Sequence, residues 1–201
     1  MLAQHTHISL TLPAHNVLTA PRKPSFLTAH PFRMSIIPFL SNIRESRFLS
    51  NFYPAHLTYH NNHFQSSEHC YQSQKAEFFG RMDLLELINA SRRATEQKRL
   101  GAVAQRSASP GRVARWHDAK TGIMREILAA KFENPELAQR LINTGCALLV
   151  EASPSDRFWG AGASYSQVLE GRFSGRNVMG RLLMQLRDRL QKGKQVPPAT
   201  Q

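Results

Sequence analysis

The chain has 201 residues and a formal net charge of +12 at pH 7, enough length for one domain with a substantial core. No window approaches the roughly 20 apolar residues of a membrane-spanning helix. Its two cysteines, Cys70 and Cys146, lie far apart and have no CxxC or histidine-spaced neighbours, which excludes a disulfide framework and a structural zinc site.

In chain order, residues 1–33 contain no Asp or Glu and carry four His and four Pro. They show no sustained period and read as a disordered extension, with Met34 as an internal start or the segment as a transit peptide. "SIIPFL" (35–40) and "HLTYHNNHFQ" (56–65) read as short strands, the second hinged at Asn61-Asn62. From Ser67, a helix cap, the pattern becomes helical. Further helices are expected at about 81–90, 94–105 and 114–132. "ENPELAQRLINTG" (133–145) has a cap at Asn134, proline at the first helical position and a stop at Gly145. "CALLVEAS" (146–153) is a buried strand, and "GRNVMGRLLMQLRDRL" (175–190) a helix whose apolar residues belong to the core. The tail 191–201 reads as disordered. The fold class is α+β, predominantly helical, with one domain over 34–190 and a small β element. Both cysteines are expected to be small buried packing residues in a reducing, cytoplasmic setting.

The charge favours polyanionic partners such as nucleic acid or phosphorylated small molecules. No run of five basic residues occurs, so phosphate contacts must be assembled in three dimensions. Four clusters carry the residue types that chemistry needs. "FLSNFYPA" (48–55) offers Asn51 and Phe52 in a turn, a ring to stack on a heterocycle and an amide to read its edge. "SSEHCYQSQK" (66–75) puts Glu68, Tyr71, Gln72 and Lys75 on one helix face. Glu68 with Lys75 suits either base and cation chemistry or a structural ion pair along the helix. In "RVARWHDAKTGIMREILAAKF" (112–132), Trp116 lies off the apolar stripe and is free to cover a ligand, while His117 reads as solvated. "EASPSDRFWGAG" (151–162) follows the buried strand with Glu151, Asp156, Arg157 and Trp159 before Gly160 and Gly162. An indole platform beside a carboxylate suits a sugar carrying oxocarbenium-like charge, and the glycines permit close approach of a phosphate.

Taken in order, "FLSNFYPA", "SSEHCYQSQK", "MREILAAKF", "LVEASPSDRFWGAG" and "GRNVMGRLLMQLRDRL" resemble the YbiA-like, or NADAR, family of N-glycosidases over roughly residues 36–190. The resemblance implies a compact, mainly helical α+β domain. It also implies cleavage of a C–N bond between ribose C1 and an amine on a nitrogen heterocycle, with no cofactor and no metal. The family's glutamate falls on Glu68, its Asp and Trp on Asp156 and Trp159, its long-helix Trp on Trp116 and its turn Asn on Asn177. Cys70 stands where a small residue is common, and 161–175 lacks a Trp often found there.

Two substrate classes are implied: ADP-ribose attached to guanine in nucleic acid, toward which the basic charge tilts the reading, and phosphoribosylamino-pyrimidine intermediates of riboflavin synthesis. A non-catalytic module binding ADP-ribose or nucleotides is the reading from another class. On the enzymatic reading, Glu68 activates water or stabilises a cationic ribose, and Asp156 orients the sugar or protonates the leaving group. Lys75 pairs with Glu68 or traps an opened ribose. Trp159, Trp116 and Phe52 sandwich the base above Tyr71, Asn51 and Asn177 read polar edges, and amides near Gly160 and Gly162 bind phosphate.

Overall fold

The structure, a computed structural model, describes residues 35–195. The expected N-terminal extension and the last six residues lie outside the described residues. Strand β1 (Ile36–Phe39) pairs in parallel with β4 (Leu148–Glu151), in the register Ile36 to Leu148 and Phe39 to Glu151. A parallel pair needs a long crossover, and here it holds a hairpin and five helices. The hairpin joins β2 (Leu57–Tyr59) to β3 (Asn62–Phe64). Its turn residues are His60 and Asn61, with φ of 48° and 62°, one position earlier than expected. A two-residue turn of this kind needs left-handed backbone at both places.

Helix α1 (Ser67–Phe78) is capped one residue earlier than expected. Ser66 is the extended residue, and its Oγ accepts from the His69 N–H at 3.1 Å, while Ser67 is buried inside the first turn. Helices α2 (Met82–Ala90) and α3 (Ala94–Arg106) pack against α1. Gly101 permits the close approach of α3, since a methyl group there would overlap the Gln72 side chain. Helix α4 (Pro110–Lys131) begins four residues earlier than the apolar stripe suggested, because Ser109-Pro110 supplies a cap position and a preset first helical φ. Helix α5 (Pro135–Ile142) forms as read, with Asn134 Oδ1 accepting from Leu137 N–H at 3.1 Å.

A short helix, α6 (Tyr165–Leu169), has a capping box between Ser164 and Gln167 and was not anticipated. Helix α7 (Val178–Gln195) continues past 190, so residues 191–195 are helical rather than tail. Its Val178, Met179, Leu182, Leu183 and Leu186 are buried with Phe39, Leu49, Ile127, Leu128 and Leu149 in the main core. Cys70 is in that core, but Cys146 is exposed, because it falls in the turn before β4 rather than in the strand. The α+β, mainly helical class stands. No helix among the described residues is long and apolar enough to cross a membrane.

Candidate active site

Three parts of the chain meet around a cavity of about 260 Å³. The first is α1. A helix repeats near every third and fourth residue, so Glu68, Tyr71, Gln72 and Lys75 all reach the cavity. Gln72 Nε2 donates to Glu68 Oε1 at 2.8 Å. Burial raises the pKa of Glu68; the Gln72 hydrogen bond and the charges of Lys98 and Lys75 pull it back, and Asp156 pushes it up again. Burial lowers Lys75 to about 8 despite the attraction of Glu68. Among the described residues no salt bridge joins these two, so the structural ion pair allowed by the sequence is not made.

The second part is the turn before the hairpin. Asn51 is buried, its carbonyl accepts from the Glu68 N–H at 3.0 Å, and its Nδ2 faces Met124 Sδ at 3.5 Å. Its Oδ1 is buried with no hydrogen-bond partner among the described residues. The turn is held from behind by Lys131, fully buried at the end of α4, whose Nζ donates to the Ser50 carbonyl at 2.8 Å. Half-buried Phe52 faces the opening, with Lys98 Nζ 5.6 Å from its ring centre.

The third part is the end of β4 and the loop beyond it. Glu151 closes the strand. Asp156 Oδ1 accepts from the N–H groups of Phe158 and Trp159 at 2.9 and 2.8 Å, which fixes its carboxyl and leaves Oδ2 for a ligand. Both acids line the cavity with Glu68. The loop is laced to the start of α7: Val178 and Met179 N–H donate to the carbonyls of Phe158 and Trp159 at 3.1 and 3.0 Å.

Four sequence expectations need correction. Trp116 is not a mobile cover; it is 1% exposed and packed against Tyr71, Phe78 and Phe79, so it forms a cavity wall. Asn177 does not reach the cavity. Its Nδ2 donates to Leu149 O at 2.8 Å and its Oδ1 accepts from Glu151 N–H at 3.0 Å, so its amide is spent on holding β4. Gly160 and Gly162 are likewise absent from the lining, and the Gly162 N–H is committed to Asp156 O at 3.0 Å. Lys98 and Lys120 also line the cavity and have no ion-pair partner among the described residues. Lys120 Nζ sits 3.6 Å from the Phe158 ring centre.

Trp159 does line the cavity, half-buried and edge-on to Tyr71 at 5.7 Å between ring centres. Sequence marks Glu151 only as one of the acids after the buried strand, without a role, and gives Lys98 and Lys120 no mark as site residues. Lys98 and Lys120 look like ordinary solvated helix residues in sequence, and only the packing of α3 and α4 on α1 brings exposed Lys98 and half-buried Lys120 to the edge of the cavity.

Fold and cavity define a single α+β domain with acids, amines and aromatic rings converging on one enclosed space, the construction of an enzyme rather than of a structural module. Residues 35–191 match the NADAR domain model. An N-glycosidase of Nostoc punctiforme is 35% identical over 144 residues, 70% of this chain and 83% of that protein. The N-glycosidase YbiA of Escherichia coli is 32% identical over 162 residues, covering 80% and 92%. Its NMR structure superposes with a TM-score of 0.67 at 28% identity, over 87% of this chain and 96% of that one. A riboflavin biosynthesis protein of Vibrio vulnificus is 37% identical over 146 residues, but the match spans 72% of this chain and only 36% of that longer protein. The chain belongs to the NADAR domain family.

Proposed function

We propose that the protein is an N-glycosidase that hydrolyses the bond between ribose C1 and an exocyclic amine of a nitrogen heterocycle, with ADP-ribose on guanine in nucleic acid as its substrate. The N-glycosidase names of the Nostoc and Escherichia relatives support the reaction class. The observation that carries the reading is the convergence of Glu68 and Asp156, 88 residues apart in sequence, on one cavity with indole walls.

Breaking such a bond leaves positive charge on C1 and the ring oxygen. Glu68, ionised under the influence of Lys75 and Lys98, takes a proton from the attacking water as its oxygen bonds to C1. Burial raises its pKa, which strengthens it as a base, while the Gln72 hydrogen bond and the charges of Lys98 and Lys75 favour its ionised form. Asp156, pinned through Oδ1, turns Oδ2 to the sugar and steadies the cationic ring. Tyr71, Trp116 and Trp159 keep water off the remaining faces, and Phe52 at the mouth stacks on the base.

The choice of substrate rests on what lies beyond the cavity. Ala102, Gln105 and His117 also line an open groove of about 820 Å³ between the end of α3 and the start of α4, where Arg106 stands above Ala108, Pro110 and Val113. A substrate ending at one phosphate would leave this groove empty. A pyrophosphate crossing from Lys98 and Lys120 toward Arg106 would carry its second nucleoside into it. The name of the Vibrio relative favours the other reading, a phosphoribosylamino-pyrimidine.

Incubation with an ADP-ribosylated guanine oligonucleotide and, separately, with the pyrimidine intermediate tests the choice. We expect release of ADP-ribose and a steep fall in rate with added salt. Turnover of the pyrimidine alone would replace the substrate and keep the reaction. Tight binding of ADP-ribose without turnover of either would make the protein a binding module.

A further inference from the structure

A departing amine needs a proton, and Asp156 is poorly arranged to give one, since Oδ1 is occupied by two backbone amides. Lys75, like Lys98, favours an ionised Glu68, and does so only while it keeps its own proton. We propose that Glu151 is the general acid, donating the proton on its carboxyl to the leaving nitrogen. This rests on the N-glycosidase reading of the cavity.

Glu151 lines the cavity from the end of β4, and its Oε2 is buried with no hydrogen-bond partner among the described residues. A buried, unpartnered carboxylate oxygen is costly, whereas a carboxylic acid facing a ligand nitrogen is not. The backbone of the residue is held in place. Its N–H donates to Asn177 Oδ1 at 3.0 Å, and its carbonyl accepts from Ala161 at 2.9 Å. Every charged group facing it bears on that proton. Asp156, from its own loop, and Glu68, from α1, favour its retention, and Lys98, from α3, opposes it; together with burial they push its pKa up to about 7.

The step balances. The C1–N bond breaks with its electron pair going to nitrogen, Glu151 gives that nitrogen a proton, water oxygen bonds to C1, and the water proton goes to Glu68. Transfer of a proton from Glu68 to solvent and from solvent to Glu151 resets the pair. Glu68 and Glu151 are then two acids of one cavity with opposite duties, one emptied of its proton at the start of the cycle and one loaded.

Glu151→Gln, checked for folding by its melting curve, should lose kcat by about a hundredfold with KM little changed. The wild type should lose activity as pH rises through about 7, where Glu151 gives up its proton, whereas the variant should hold its residual rate up to about 8, where Lys75 titrates. Wild-type turnover in the variant, or a lowered rate with the limb still at its original place, would overturn the assignment. Infrared difference spectra of wild type against variant read the proton without turnover. A protonated carboxyl band should be present at about pH 6 and lost at about pH 8, and its absence at the lower pH would also overturn the assignment. A titrating band in a protein that hydrolyses neither substrate would instead overturn the N-glycosidase reading, and the general-acid role with it.

Discussion

Helix α1 and the segment 151–177 furnish opposing walls of the same cavity by different means. Helix α1 displays Glu68, Tyr71, Gln72 and Lys75 through its repeat alone, and a single cap at Ser66 sets where the display begins. The 151–177 segment has no repeat. It holds Glu151, Asp156 and Trp159 through a web of backbone and amide hydrogen bonds to β4 and to the first turn of α7. In the helix, one residue can be changed and the others stay where they are. In the loop, position is collective, so a residue that never meets the ligand can govern those that do.

That contrast can be broken by substitution. The largest effect is expected at Glu68. Glu68→Gln keeps the acceptor for Gln72 and should fold normally, yet lose about a thousandfold in kcat; a rate within a few-fold of wild type would remove Glu68 from the chemistry. Asn177→Ala acts on the loop. It deletes two buried hydrogen bonds and puts a β-carbon residue with no stabilising amide at a φ of 46°. The expected cost is about 3 kcal/mol in urea melts, with kcat falling as Glu151 loosens; a cost below about 1 kcal/mol would show that the web is not cooperative.

The smallest effect is a slope. Lys131, which backs the Asn51 turn, has its pKa lowered by burial from 10.5 to about 7. Between these values the unfolded chain binds the proton and the folded chain does not, so this group makes stability rise with pH across that window and lowers it below. Lys131→Met should flatten the rise. An unchanged slope would mean that the amine is not titrating in its buried position.

The same contrast separates what the sequence discloses from what it conceals. The helical face of α1, the caps at Asn134 and Pro135 and the core stripe of α7 follow from periods and local chemistry, and they were legible. So was the meeting of Glu68 and Asp156 at one cavity, through a resemblance spread over several blocks. Trp116 reads as a cover because it lies off the stripe of its own helix, but the rings that bury it belong to α1 and the turn after it. Sequence leaves the amide of Asn177 and the Gly162 N–H free for a ligand because it does not reveal that β4 and Asp156 claim them first. Glu151 was visible as an acid after an apolar strand, but nothing local marks it as the one whose oxygen stays unpartnered. Such properties arise from contacts dozens of residues apart.

The most direct measurement is mass analysis of both products formed from an oligonucleotide bearing ADP-ribose on guanine. Cleavage at ribose C1 predicts an intact oligonucleotide with its guanine amine restored and free ADP-ribose bearing a hydroxyl at C1, with neither formed by Glu68→Gln. Scission within the pyrophosphate, leaving ribose phosphate on the guanine, or the same products from wild type and variant at equal rates, would contradict the account.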